Sequence, residues 1–465
     1  MRERALVPGG ELALGVVFLT ALLVRLIPAR HGVLVDYDEG VYVTGALLLG
    51  KGLLPYRDYV FLHPPGIILA VAPWALGGPL FALQAARVVS SVVGALNATL
   101  VARLVGGRAA LPIALFWVVW PEVVWSERGV YLEPLMSCAG LGALVVITRC
   151  PSLRRATLAG VLCGLSVLLK SWGAVWCLVA FLSCPQPLRR RLVLCAVATV
   201  TVVLLPFLVL SGAELMNQVV LAHVGRPPDG ELSRISRLRE MFIERNAWPA
   251  LLTALTIPLV LLRGGPGRVA LVGFVILGAG FLGSPAYWNQ YNAALVPFEL
   301  WLLGAGLNLF FTALPRYSWW AALAVCAAAL PSRRIAIAFP ATTQPQLEAV
   351  APLRAVRSAV CAFEVFELLL VDRLPALTTP VLVDSYGQQL LDAKRGEVHA
   401  KSIGEALGSE PAQVTLRLQL ATCPALRTGW RGDSQMNATT KAQVDAQFRP
   451  VAEGLYERPS TPPRP

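Results

Sequence analysis

The chain is poor in charge. Only 15% of its 465 residues are Asp, Glu, Lys or Arg, against about 25% in an ordinary soluble domain. Hydrophobic residues make up 56%, and the mean hydropathy is +0.61. That deficit excludes a cytosolic enzyme, a disordered chain and a small disulfide-stapled secreted module. It fits a polytopic membrane protein. Lysine is scarcer still: the first 330 residues hold only Lys51 and Lys170. The nine cysteines form no CxxC pair and no cluster with His at metal-binding spacing, so neither a zinc module nor a redox dithiol is indicated. Seven of them lie in or beside apolar runs, where Cys acts as a small hydrophobe. Cys361 and Cys423 fall in the tail and can pair if it lies outside the cell. No cleavable leader is evident: the first apolar run, 12–27, is long and lacks a small-residue cleavage site. The net charge of +12 does not indicate nucleic acid, because arginines at cytoplasmic loops explain it.

What is present divides in two. Residues 1–330 are apolar runs with short polar connections, and residues 331–465 hold 13 of the 28 acids. The fold expected is an all-α membrane domain over 1–330, a small α/β extracytoplasmic domain over 331–455 and a disordered tail over 456–465. Within the second, 379–384 reads as a strand and 388–394 as a helix. Eleven spans are expected: 11–28, 80–103, 109–125, 131–148, 156–169, 171–184, 192–211, 247–262, 269–283, 292–311 and 317–331. Several fall short of the about 20 residues a bilayer core requires. The pair 156–184 reads as two short helices meeting at Lys170, because one long helix would bury that charge in lipid. With eleven spans the N-terminus is cytoplasmic and the tail is outside. Arg103, Arg108, Arg149, Arg154, Arg155, Arg189–Arg191, Arg263, Arg268 and Arg316 then fall inside, as the positive-inside rule requires. Apart from Glu3 and Glu11 in the N-terminal segment, the carboxylates cluster outside, where the loop 212–246 also carries five arginines.

The first outer loop, 29–79, carries Asp36-Tyr37-Asp38-Glu39-Gly40-Val41-Tyr42. Three carboxylates there can bind a divalent cation, supply a general base, or form a solvated loop with Asp38 as N-cap. Residues 39–50 and 66–76 read as short helices along the interface, the second led by His63-Pro64-Pro65. The second outer loop places Arg128 before Glu133, whose carboxylate is favoured at a helix start. Arg128 suits a phosphate and equally suits Glu122 or Glu127. Tyr287-Trp288-Asn289-Gln290-Tyr291 suits a sugar, with rings for C–H faces and amides for hydroxyls; it also suits an interfacial aromatic belt. Glu299, two turns into the following span, is a secondary candidate.

In order, Asp38-Glu39-Gly40-Val41-Tyr42, His63-Pro64-Pro65-Gly66, Ala85-Ala86-Arg87, Glu133-Pro134 and Gly164-Leu165-Ser166-Val167-Leu168-Leu169-Lys170-Ser171 resemble the motifs of GT-C type membrane glycosyltransferases. The resemblance is to the dolichyl-phosphate-mannose-protein mannosyltransferase-like group that includes lipid A aminoarabinose transferases, and it covers about residues 11–311. It implies inverting transfer of a sugar from a polyprenyl-phosphate donor to an extracytoplasmic acceptor (protein, lipid or envelope glycan) at the plasma (inner) membrane. Asp38, Glu39 and Glu133 are the catalytic carboxylates implied, with Asp38 the base. His63, Lys170, Arg128 and Arg87 are the cations available to the donor phosphate. Tyr42, Tyr287, Asn289 and Tyr291 are candidates for sugar or acceptor binding. No cofactor is implied, and a divalent metal at Asp36/Asp38 stays open. Two departures stand out: His63 replaces the usual Lys, and Glu133 replaces the frequent Asp. The competing readings are a non-catalytic subunit that binds lipid-linked sugar and a secondary transporter.

Overall fold

The structure, a computed structural model, describes residues 10–30, 37–229, 233–244, 247–288, 290–313 and 344–459. In chain order the helices through the apolar part begin with α1 (Gly10–Arg30), α2 (Tyr37–Leu49), α3 (Gly66–Val71), α4 (Pro79–Val105) and α5 (Ala110–Val119). They continue with α6 (Pro121–Arg128), α7 (Leu132–Arg149), α8 (Leu153–Leu169), α9 (Gly173–Ser183) and α10 (Gln186–Ser211). Then come α11 (Ala213–Val219), α12 (Arg234–Arg239), α13 (Ala247–Arg263), α14 (Pro266–Gly283) and α15 (Tyr291–Ala313).

Nine of the expected spans fall on single helices. The span expected over 109–125 does not: α5 and α6 meet at 62°. Trp120 is extended there and Pro121 occupies the first position of α6, where a proline starts a helix but cannot continue one. The last expected span, 317–331, lies outside the described residues. Five of the described helices are long and apolar enough to cross a bilayer, or six with the bent pair counted as one. That is fewer than about eleven, partly because α8 has 17 residues and α9 has 11. Lys170 stands at the end of α8, ahead of α9. The break that its charge predicts is therefore present.

The chain divides into two compact units, each discontinuous in sequence. The first comprises 1–33, 87–203 and 231–341. Its core is aromatic: Trp117, Trp120, Trp176 and Phe298 are buried together, and Trp176 stacks on Phe298 at 4.3 Å. Small residues let the helices approach. A Cβ on Gly160 would collide with the Leu192 carbonyl oxygen, and one on Gly140 would enter the Trp176 ring. One buried cation of this bundle, Arg25, is paired. The Arg25 Nε donates to Glu127 at 2.6 Å, and the other carboxylate oxygen accepts from Asn97 Nδ2 at 2.9 Å. By contrast α10 is only 11% buried over its most apolar stretch. So much exposed Val and Leu needs an apolar medium outside it.

The second unit comprises 34–86, 204–230 and 342–465. Its later part carries α16 (Gln344–Val350), α17 (Val365–Leu370), α18 (Ser385–Arg395), α19 (Ile403–Gly408), α20 (Glu410–Ala421), α21 (Gly429–Gln435) and α22 (Ala438–Gln447). Its strands are β1 (Val360–Ala362), β2 (Ala425–Arg427), β3 (Arg449–Ala452) and β4 (Leu455–Glu457). The sheet order is β1-β2-β4-β3, with β1 and β2 parallel and the other pairs antiparallel. The Cys361–Cys423 disulfide lies in the core under this sheet.

Three expectations change here. Residues 379–384 form no strand: Pro380 offers no donor, and the Val381 amide donates to the Asp58 carbonyl at 3.0 Å. The true strands have three or four residues each, too few for an alternating pattern to register. β4 also carries ordered chain to Glu457, beyond the boundary drawn at 455; residues 460–465 lie outside the described residues. The helix expected over 388–394 is present as α18, capped by Asp384. Finally, α2, expected along the interface, is enclosed by protein over most of its length. Ten consecutive residues, Glu39 to Leu48, are buried.

Candidate active site

Within the second unit the candidate residues gather on α2. The helix begins at Tyr37, so Asp38 and Glu39 occupy its first turn rather than the cap. Negative charge is stabilised there by the unpaired amides of the helix start. Asp38 is half-buried and Glu39 fully buried. Tyr42 lies one turn on from Asp38, the spacing that puts two side chains on one helix face. Its ring meets His63 edge-on at 5.7 Å, and His63 stacks against His223 at 6.3 Å. The Tyr56 hydroxyl donates to the His63 carbonyl at 2.8 Å, and a His223 ring nitrogen bonds the Leu62 carbonyl at 2.9 Å. His63 is thus held on both sides in sequence. His223 is a second histidine that motif order did not indicate.

Tyr37, between Asp36 and Asp38, where the sequence leaves a metal open, faces a different partner. Its hydroxyl donates to Asp384 Oδ1 at 2.8 Å, and the Arg431 guanidinium lies 3.9 Å above its ring. Burial pushes the Asp384 carboxyl above the ordinary carboxylate range; the Gly387 amide and the Tyr37 hydroxyl pull it back, and nearby Asp38 pushes it up again. Burial, then Asp384, likewise raises the Tyr37 phenol well above its usual value. Asp36 lies outside the described residues. Among the described residues no group of three or more His, Cys, Asp or Glu side chains is arranged to hold a metal.

Within the first unit, Glu133 stands in the first turn of α7 and forms an ion pair with Lys170 Nζ. Both side chains are buried. The ammonium also lies 4.4 Å over the Tyr291 ring, whose face attracts a cation. Tyr287 packs edge-on against Tyr291 at 6.2 Å and donates to Asn292 Oδ1 at 2.6 Å. Tyr287, Tyr291 and Asn292 thus lie together; Asn289 lies outside the described residues. Arg128 ends α6 and Arg87 lies in α4, both buried. Of the acids offered to Arg128, Glu127 is taken by Arg25. Glu299 is buried beside Glu122 in the same bundle, a proximity that a separation of 177 positions hides.

Apolar helices, a short acid-bearing helix after the first span and a small sheet-bearing domain fit a GT-C-like fold. Comparison with solved structures agrees. ArnT from Cupriavidus metallidurans in the apo state is similar at a TM-score of 0.57 and 16% identity, over 78% of this chain and 84% of that one. The same protein bound to undecaprenyl phosphate is similar at 0.52 and 18%, over 82% and 69%. The archaeal oligosaccharyltransferase AglB from Archaeoglobus fulgidus, in complex with an inhibitory peptide and a dolichol-phosphate, is similar at 0.57 and 12%, over 89% and 68%. No family model and no curated protein sequence matches. At these identities the likeness is one of fold. With its apolar helices, it makes the chain a multi-pass membrane protein.

Proposed function

We propose that the chain is an inverting glycosyltransferase that moves a sugar from a polyprenyl-phosphate donor to an acceptor hydroxyl outside the cytoplasm. The observation that carries this reading is the acidic first turn of α2, Asp38 and Glu39 with Tyr42 one turn on, in a chain of the GT-C fold. Solved neighbours bind undecaprenyl phosphate or dolichol-phosphate, which supports a lipid phosphate as the donor's carrier. Asp38 takes the proton of the acceptor hydroxyl. The oxygen attacks the anomeric carbon from the face opposite the phosphate, and the bond from that carbon to the phosphate oxygen breaks. Polyprenyl phosphate leaves with the electron pair, and configuration inverts. One base suffices for a single displacement. Cations placed beforehand at the departing phosphate lower the barrier, and Lys170, His63, Arg128 and Arg87 are assigned to that task. An ammonium has three N–H donors, so Lys170 can serve Glu133 and a phosphate oxygen together. Tyr42, Tyr287 and Tyr291 are assigned to the sugar and acceptor. No step requires a metal.

The reading places the enzyme in the plasma (inner) membrane, with the N-terminus cytoplasmic. The membrane domain is 1–330, and the domain that follows it, through β4 at Glu457, is extracytoplasmic. The Cys361–Cys423 disulfide supports that side, because such bonds persist in oxidising compartments. The test is transfer from a panel of undecaprenyl-phosphate sugars in membranes, wild type against Asp38→Asn. Transfer by the wild type, lost in a variant that still binds the donor, supports the reading. Donor binding with no transfer by either protein points instead to a non-catalytic binding subunit. Absence of both binding and transfer overturns the assignment.

A further inference from the structure

The later part of the second unit holds no catalytic motif, yet it grips the helix that carries Asp38. Tyr37 is the residue gripped. Its hydroxyl donates to Asp384 at 2.8 Å and accepts from the Tyr386 amide at 3.2 Å. Arg431 covers its ring at 3.9 Å, and Glu364 lies 3.4 Å from the Arg431 guanidinium. Asp384 is itself fixed, since the same oxygen accepts the Gly387 amide at 2.7 Å as the cap of α18. One turn further along α2, Gly40 meets α17 so closely that a Cβ would come within 2.7 Å of the Phe366 backbone nitrogen. Asp38 therefore lies between two points of attachment on its own helix, Tyr37 before it and Gly40 after it. A helical turn held at both ends has little freedom to rotate, so its side-chain direction is set from outside.

We propose that Asp384, Tyr37 and Arg431 are positioning residues for Asp38: they fix the first turn of α2, and through it the direction and electrostatic surroundings of the general base. This rests on the reading of Asp38 as that base. It assigns the C-terminal domain a direct part in the reaction, as the clamp that orients a base it does not itself carry. A misdirected base loses rate without losing substrate, because binding contacts are untouched while the proton-transfer geometry is not.

The test uses the full chain in membranes and the undecaprenyl-phosphate sugar that the wild type transfers. Tyr37→Phe removes the hydroxyl and keeps the ring beneath Arg431. Asp384→Ala removes the carboxylate. Each is expected to lower kcat about 10- to 100-fold, with the donor KM within about two-fold of wild type, the pattern of a contact that matters in the transition state. Thr440→Val is the control. It removes a buried hydrogen bond to Gln413 at 2.6 Å inside the domain and is expected to lower the melting temperature while leaving kcat within about two-fold. If Asp384→Ala does not fold, Tyr37→Phe decides alone. Wild-type kcat in a folded Tyr37→Phe overturns the inference, as does a kcat that falls in Thr440→Val in the same proportion to lost stability. Wild-type transfer by Asp38→Asn overturns the underlying reading instead, and the two failures are distinct.

Discussion

The candidate residues of the two units hold charge in different settings. In the first, two buried cations meet their opposites, Arg25 with Glu127 and Lys170 with Glu133, while Glu299 lies beside Glu122. The bundle offers few other polar groups, and an unpaired ion inside it would be expensive. In the second, Asp38 and Glu39 sit at a helix start, and the neighbouring Tyr37 is tied to Asp384 and covered by Arg431. The partners there come from a domain with its own sheet and disulfide. A paired charge resists change, because losing either member strands the other. A carboxylate in the first turn of a helix is stabilised by the amides of that turn. The first arrangement suits a fixed cation beside a leaving phosphate, and the second suits a base.

That contrast can be broken in several places. The largest effect is expected at Asp38. Asp38→Asn should lower sugar transfer about 10²- to 10⁴-fold, with donor binding unchanged, measured by single-turnover transfer and by lipid pull-down on the same membranes. Lys170→Met should act through stability as well as rate. It leaves Glu133 buried without its cation, at a cost of about 3–5 kcal/mol. The double variant Lys170→Met/Glu133→Gln should regain most of the lost melting temperature but not the transfer. Recovery of both would remove Lys170 from the chemistry.

The disulfide sharpens the comparison from the other side. It closes a loop 62 residues apart in sequence, so Cys361→Ser/Cys423→Ser should destabilise the C-terminal domain by about 4 kcal/mol in the chain-entropy account. Limited proteolysis should then cut within 344–459 before it cuts the helices of the first unit; cutting in the reverse order would contradict this. The smallest effect is expected at Gly40→Ala. The added methyl meets the Phe366 backbone, and crowding of this kind costs about 1–3 kcal/mol. Thermal unfolding read at the C-terminal domain should move, while α7 and α8, which carry Glu133 and Lys170, should not.

The reach of contacts along the chain explains what could be read in advance. The Lys170 break between α8 and α9 was legible because a charge in the middle of an apolar run has few places to go. Glu133 and Lys170 lie 37 positions apart on successive helices, and both stand at helix ends, so their membership of one group was accessible from motif order. Tyr37 and Asp384 lie 347 positions apart. Nothing local marks Asp384 except its cap position ahead of Ser385-Tyr386-Gly387, and nothing marks Tyr37 except the acids around it. The missed strands tell the same story. At three residues each, β1, β2 and β4 are set by their pairing partners rather than by any pattern of their own.

By itself, the amino-acid sequence determined that this chain lives in a membrane, where most of its apolar helices begin and end, and which carboxylates and cations stand at their ends. Those properties follow from hydropathy, proline and charge, which act over one or two helical turns. Only the tertiary structure decided that α5 and α6 bend apart, that α2 is buried along most of its length, and that the C-terminal domain holds Tyr37 through Asp384 and Arg431. Those outcomes depend on which distant surfaces meet, and a one-dimensional pattern carries no record of a partner hundreds of residues away.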